Sequence, residues 1–262
     1  MRDILSDLEA GKHLSDENPI VRAQKQMQAQ LPKRFYEKAE VAEVEGGFTV
    51  HLDGCSVKTP ARALLLLPTR AAAEMIAAEF RAQEKVVNPG RMPATRLVNT
   101  ALDGIVQDPQ AVMEDILRFA GTDMLCYRAD APRELVERQT RHWDPLIDWM
   151  EGLGARFVLA EGVMHVEQPR EAITAYGVHL QTFNDPISLA CLHTMTTLTG
   201  SAIIALAVAK GELSVAEAWK VAHIDEDWTI EQWGEDAEAM ARRKLREEEM
   251  ITAANMLQAL QP

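Results

Sequence analysis

The alternation of apolar and polar positions near the start of the chain predicts a small antiparallel sheet. The apolar positions of residues 48–52 fall on one face of a short strand, and Asp53-Gly54 follows that strand directly. An Asp-Gly pair between alternating runs is a strong hairpin signal, because both turn residues adopt positive φ. The second strand is predicted at residues 55–59, and residues 64–67 read as a third.

The residues after the sheet are predicted to form a helix that packs on the apolar face of the sheet. Thr69 is its predicted N-cap. Apolar residues recur at four-residue spacing along it and form the stripe Ala72, Ile76 and Phe80. Residues 33–90 are therefore predicted to form a small α+β domain, preceded by a polar N-terminal arm at residues 1–32.

From residue 91 to residue 262 the helical period dominates, and Asn88-Pro89-Gly90 marks the predicted boundary. Helix starts are predicted at Pro109, Pro169, Asp185-Pro186, Ser214 and close to Glu235. Residues 155–168 fit a short hairpin and a loop equally well. The predicted fold class is α+β, with a small antiparallel-sheet domain and its packed helix, then a larger all-helical domain.

The stretch from Pro186 to Ala209 contains no Asp, Glu, Lys or Arg and is long enough to cross a bilayer. His193, Gly200 and several Ser and Thr residues dilute its hydrophobicity, and only Lys210 flanks it with positive charge. We therefore expect a buried central helix and no membrane insertion, because a helix that is apolar all round lies in a large core.

Charge and cysteine content narrow the partner class and the compartment. A net charge of −13 argues against nucleic acid as a partner, because phosphate recognition needs an excess of Lys and Arg. Cys55, Cys126 and Cys191 are far apart, which predicts reduced thiols in a reducing compartment. Acidic residues near the N-terminus do not fit a transit peptide. A bacterial cytoplasmic protein fits best, and the mitochondrial matrix is the equivalent place for a eukaryotic relative.

Motifs of catalysis are missing from the sequence. It contains no phosphate-binding loop GxxxxGK[ST], no GxSxG and no HExxH. We therefore predict no enzyme activity, no catalytic residue, no cofactor, no metal and no small-molecule substrate. The alternative is a metal-dependent hydrolase that uses His223 and the acids Asp225, Glu226 and Asp227. Consecutive acids on a helix cannot all face one ion, so a solvated acidic face is the preferred interpretation.

An acidic segment near the C-terminus is the most unusual feature of the sequence. Seven acids and no Lys or Arg lie between Val221 and Ala241, and Trp228 and Trp233 lie among them. One interpretation is a helix pair with core tryptophans and a solvated acidic back. The other is a binding surface with aromatic anchors and a charged rim.

Several long blocks of sequence carry a family resemblance. They are LDGCSVKTP at 52–60, PTRAAAEMIAAEFRAQ at 68–83, MPATRLVNTALDG at 92–104, TDMLCYR at 122–128, QTRHWDPLIDW at 139–149, and the run from LTGS to WGED at 198–236. In these blocks, and in Arg34-Phe35-Tyr36 before them, the chain resembles the assembly chaperones of the ATP synthase catalytic sector. The resemblance is to the member that binds the unassembled α subunit. It departs at Phe80, where a Trp is usual in that family.

The resemblance implies a two-domain protein without catalysis that covers an apolar surface of the free α subunit until the β subunit takes that surface. Carry-over of the IEQWGED block and the local charge predict the partner-binding residues Glu226, Glu231, Trp233, Glu235, Asp236 and Glu238. A helical adaptor with another protein partner has the same composition, and only the family blocks disfavour it.

Overall fold

The computed structural model describes residues 31–162 and 165–261, so most of the predicted polar arm lies outside the described residues. The described residues form two compact units. The smaller unit joins residues 31–35 to residues 83–88. Within it, Lys33 and Val86 form an antiparallel bridge, and the Val87 amide donates a 2.8 Å hydrogen bond to the Pro32 carbonyl.

The larger unit begins with the predicted antiparallel sheet. Its strands are β1 (Ala39–Val44), β2 (Gly47–Leu52) and β3 (Cys55–Ser56), in the order β1-β2-β3. The turn between β2 and β3 is the predicted Asp53-Gly54 pair, with φ of 49° and 86°. Residues 64–67 were predicted as a strand, but they contribute only isolated bridges, Phe48 to Leu67 and Lys58 to Leu64.

Helix α1 (Arg70–Arg81) packs on this sheet through the predicted stripe. Thr69 is its N-cap, and the Thr69 hydroxyl oxygen accepts a 3.2 Å hydrogen bond from the Ala72 amide. Ile76 is fully buried and Phe80 nearly so. The Tyr36 hydroxyl donates to the Phe80 carbonyl at 2.8 Å, so the segment entering the sheet is fixed to the helix that covers it.

Helices dominate the rest of the larger unit. They are α2 (Pro93–Asp103), α3 (Pro109–Gly121), α4 (Arg133–Gly152), α5 (Arg170–Leu180), α6 (Pro186–Thr199), α7 (Ala202–Ala209), α8 (Val215–Ala222), α9 (Ile224–Trp233) and α10 (Ala237–Ala259). Asp185 and Ser214 cap α6 and α8 at the predicted helix starts. Helix α3 begins at Pro109 as predicted, and the Asp108 side chain, which was not predicted as a cap, accepts from the Ala111 amide. Two short strands, β4 (Tyr127–Arg128) before α4 and β5 (Ala160–Glu161) after it in the chain, form a parallel pair. The fold is therefore α+β, with a small N-terminal antiparallel sheet followed by helices.

The apolar stretch from Pro186 to Ala209 is the centre of the core, but it forms two helices where a single one was predicted. Gly200 has a φ of +69° and ends α6, and Ser201 caps α7. The chain can turn there because glycine adopts a left-handed backbone without steric cost. Within the described residues no helix is both long and apolar enough to cross a membrane.

A buried carboxylate stabilises the start of α7. Asp123 is fully buried, and its Oδ2 atom accepts hydrogen bonds from the Ser201 hydroxyl at 3.0 Å and the Ile203 amide at 2.9 Å. Removal from water disfavours the charged form and raises the pKa of Asp123 to about 6.

The sheet, α1 and the helices belong to the same compact unit. The Thr69 hydroxyl donates to the Ala259 carbonyl at the end of α10, and the Glu79 carboxylate accepts from the Ala94 and Thr95 amides at the start of α2. A domain boundary at residue 90 stays a prediction.

Candidate functional site

Helix α9, which carries much of the acidic segment, is held by successive turns of α4. The Trp143 indole Nε1 donates to the Val221 carbonyl at 2.9 Å, at the end of α8. The Gln139 Nε2 atom donates to Asp225 Oδ1 at 2.7 Å, at the start of α9. These two buried side chains therefore fix where α9 begins.

The third contact is a bidentate ion pair between α4 and α9. The two Arg138 nitrogens donate to the two Glu231 oxygens at 2.8 and 2.9 Å, and the Arg138 guanidinium lies 5.2 Å from the centre of the Trp228 ring. The hydrogen bonds from Arg138 lower the pKa of Glu231. Because both partners are accessible to solvent, the pair orients the helix more than it stabilises the fold.

His223 lies at the junction between α8 and α9 and is buried. Its Nδ1 atom is 2.7 Å from the Trp219 carbonyl, which can only accept, so Nδ1 carries the proton. Burial lowers the pKa of His223. The Nε2 atom is 3.8 Å from a Glu226 oxygen, which is too long for a hydrogen bond.

The three acids that follow His223 do not converge on one point. Asp225 accepts from Gln139, Asp227 is paired with Arg243 at 2.5 Å, and Glu226 lies 4.0 Å from the same arginine. No group of three or more His, Cys, Asp or Glu side chains in the described part of the chain could hold a metal ion. The arrangement of these acids gives the hydrolase alternative no support.

The predicted partner-binding acids have different local roles. Glu231 is paired with Arg138, as described above. Asp236 is the N-cap of α10, where its Oδ1 atom accepts from the Ala239 amide at 2.8 Å. Glu238 is paired with Arg242 at 2.6 Å, one turn later in the same helix. Glu235 is exposed, and it has no ion-pair partner among residues 31–162 and 165–261.

Trp233 is the most exposed large hydrophobic residue of the described chain, with 86% of its surface accessible. It is the last residue of α9, and Gly234 ends the helix with a φ of 90°. All eight residues from Glu231 to Glu238 are exposed, so an aromatic ring stands in water among several carboxylates. Of the two interpretations of the acidic segment, this geometry favours a surface with an aromatic anchor.

An open groove of about 490 Å³ lies between α4, the end of α8 and α9. Its lining is partly apolar, from Val221, Ile224 and Ile230, and partly charged, from Arg138, Arg141, His142, Lys220, Asp227 and Glu231. Sequence analysis did not identify this groove. The available signal was the spacing of Arg138, Arg141 and His142, which places all three on one face of a helix.

Comparison with known proteins agrees with this architecture. Residues 33–151 match the ATP12 chaperone protein family. The mitochondrial protein atp12 of Schizosaccharomyces pombe is 25% identical over 230 residues, which is 82% of this chain and 78% of that protein.

Solved structures extend the match to the whole chain. A putative chaperone from Agrobacterium tumefaciens is 58% identical, with a TM-score of 0.86, over 100% of this chain and 97% of that one. The crystal structure of Atp12 from Paracoccus denitrificans is 36% identical, with a TM-score of 0.82, over 88% of this chain and 99% of that one.

An α+β protein with these relatives is an assembly chaperone. The chain belongs to the ATP12 chaperone family, which confirms the resemblance to the assembly chaperones of ATP synthase. Membership of this family also disfavours the alternative of a helical adaptor with an unrelated partner.

Proposed function

We propose that this protein binds the free α subunit of the ATP synthase catalytic sector and prevents its aggregation until the β subunit replaces it. The observation that carries the proposal is the exposed Trp233, placed within the acidic surface of a chain from this chaperone family. A subunit that awaits its partner exposes apolar surface, and such surface aggregates unless it is covered.

Trp233 is proposed as the apolar anchor of the complex. An exposed tryptophan that enters a pocket on the client loses a large apolar area from water, and such residues dominate interface energetics. Because it stands at the end of a helix that α4 holds in place, little conformational freedom is lost on binding.

The surrounding carboxylates are proposed to meet basic residues on the α subunit. These acids all lie at exposed positions on α9, in the link between α9 and α10, or at the start of α10: Glu226, Glu231, Glu235, Asp236 and Glu238. Rim charges of this kind set the orientation and the association rate more than the affinity. Glu235 is the acid most available to a client, since Glu231 and Glu238 are already paired within the chain.

Release in this account needs no cofactor, no small-molecule substrate and no catalytic step. The β subunit competes for the same surface of α, and mass action then frees the chaperone. The proposal places the protein in the compartment where free α subunit exists. For a bacterial chain this is the cytoplasm, and in a eukaryotic relative it is the mitochondrial matrix.

The test is suppression of aggregation. Denatured α subunit is diluted into buffer with or without equimolar protein, and light scattering is followed. The wild-type protein is expected to suppress scattering, and Trp233→Ala is expected to lose most of this effect. Val178→Ala is the matched control, because Val178 is also a surface apolar residue, 63% exposed on α5. No suppression by the wild-type protein would overturn the proposed function.

The role of the acids is tested separately, by charge reversal at one site. Glu235→Lys is the sharpest choice, because reversal of Glu231 would also break the ion pair with Arg138. Glu43→Lys on β1 is the control with the same change in net charge at another exposed position. We expect Glu235→Lys to slow association with the α subunit at low salt, with a difference that fades at high salt. Equal association rates for the two variants would contradict the assigned role.

A further inference from the structure

We propose that the groove between α4, α8 and α9 is a second client-binding site, which takes an acidic segment of the client with apolar side chains. This inference rests on the proposed function and extends it, because it gives the chaperone two adjacent surfaces of opposite charge. The groove is open to solvent and has a volume of about 490 Å³.

The apolar part of the groove can take apolar side chains of a partner. Val221 and Ile224 are buried at the junction of α8 and α9, and Ile230 is partly exposed one turn before the end of α9. Ile230 therefore offers more accessible aliphatic surface than Val221 and Ile224, which line the groove with their exposed edges. Each Å² of apolar surface that a partner removes from water contributes about 25 cal/mol.

The charged part of the groove determines which partner fits. Two of its cations, Arg141 and Lys220, are exposed, and neither has an ion-pair partner within the described ranges of the chain. The two acids in the lining are already engaged, Glu231 by Arg138 and Asp227 by Arg243. The charges left for a partner are therefore positive.

This local sign is the reverse of that of the chain, whose net charge is −13. The net negative charge of the protein repels an acidic segment of a client. At the groove, the same segment meets the positive charges of Arg141 and Lys220. Charge complementarity of this kind orients the partner and suppresses wrong registers.

The walls of the groove are fixed before a partner arrives. Gln139 and Trp143 tie α4 to the α8–α9 junction, and the Arg138–Glu231 pair ties it to the last turns of α9. A preformed site binds with less loss of conformational entropy than one that must assemble.

Glu231 belongs both to the acidic segment and to the groove wall, so the two surfaces adjoin at the Arg138–Glu231 pair. A client with a basic region next to an acidic, apolar segment would engage both surfaces at once. The two contacts together define one orientation of the client on the chaperone.

The first experiment is a double charge reversal, Arg141→Glu with Lys220→Glu, in the full-length chain. Both positions are exposed, so the urea midpoint is expected to stay close to that of the wild type. The matched control reverses two exposed cations elsewhere, Lys58→Glu with Arg170→Glu. The readout is the chaperone concentration that halves the scattering of diluted α subunit. We expect this concentration to rise at least tenfold for the groove variant and to change less than twofold for the control.

A cross-linking experiment identifies the occupant directly. The Lys220→Cys variant, in a Cys55→Ser background because Cys55 is exposed, is labelled with a photoreactive maleimide and irradiated with the α subunit. Mass spectrometry of the adduct is expected to give a peptide of the α subunit that contains Asp or Glu next to apolar residues. A basic peptide, or a peptide from a second copy of the chaperone, would overturn the inference.

The outcomes separate this inference from the function on which it rests. If the wild type suppresses scattering and the groove variant does so equally well, the groove does not bind the client and the proposed function stands. If the wild type itself does not suppress scattering, the proposed function fails, and the groove inference fails with it.

Discussion

The contact that fixes α9 leads to a quantitative prediction for Gln139→Leu. Gln139 is 2% exposed, its Oε1 atom accepts from the Ala129 amide at 2.8 Å, and its Nε2 atom donates to Asp225 at 2.7 Å. Leucine is similar in size but makes neither bond. A neutral hydrogen bond contributes about 1 kcal/mol and one to a charged group about 2 kcal/mol, so the variant should lose about 3 kcal/mol of the free energy of unfolding.

Urea unfolding at neutral pH measures this loss, with Thr140→Ala as the control. Thr140 is the next residue on α4 and is exposed, so its replacement should change the free energy of unfolding by less than about 0.5 kcal/mol. Gln139→Leu should also weaken suppression of α-subunit aggregation, because the start of α9 is no longer tied to α4. A loss below about 1 kcal/mol would show that the two hydrogen bonds do not hold the helix.

Three further predictions concern other elements. Gly47→Ala should lower stability by about 2 kcal/mol, because the new Cβ would lie 2.4 Å from the Leu67 carbonyl oxygen, and a thermal melt measures the loss. Asp123→Asn tests the carboxyl whose pKa burial raises to about 6. Since the protonated form of Asp123 is favoured in the fold, the wild type should lose about 2 kcal/mol relative to the variant as pH rises from 4 to 7. Urea unfolding across that range checks this, and the control Asp130→Asn, which is exposed and keeps Asp123, should lose stability with rising pH as the wild type does. Asp236→Ala should cost about 1 kcal/mol by urea unfolding, because α10 loses its N-cap.

Local signals in the sequence predicted the sheet and the helix that covers it. The Asp53-Gly54 turn depends on the φ values of its own two residues, and the Thr69 N-cap depends on a hydrogen bond from a residue three positions later. A short window of sequence is therefore enough to predict both features. Strand β1 was not predicted, because the Ala and Glu residues of its sequence AEVAEV have low β-propensity and its apolar positions do not alternate strictly with polar ones. Its register is set by pairing with β2.

The break between α6 and α7 illustrates a non-local cause. The stretch from Pro186 to Ala209 reads as one continuous apolar helix, and its only local marks of a break are Gly200 and the capping residue Ser201. The start of α7 depends on Asp123, which is 80 residues before the amide of Ile203 that it binds. A pattern of apolar positions holds no information about such a contact.

The candidate site shows the same limit. Charge and aromatic content located the acidic segment, but they did not show that Trp233 is exposed or that Arg138 pairs with Glu231 across 93 residues of sequence. The groove could not be predicted for the same reason, since its cations come from α4 and α8 while α9 supplies most of the rest of its lining. Only tertiary packing brings these elements together.

The most direct test of the account is to follow the exchange of partners on the α subunit. A complex of this protein with α is isolated by gel filtration, an excess of β subunit is added, and the fractions are analysed again. The account predicts that α first elutes with the chaperone, and that β then moves α into a new complex and leaves the chaperone free. A chaperone that never elutes with α, or that remains bound to α in a ternary complex with β, would contradict it.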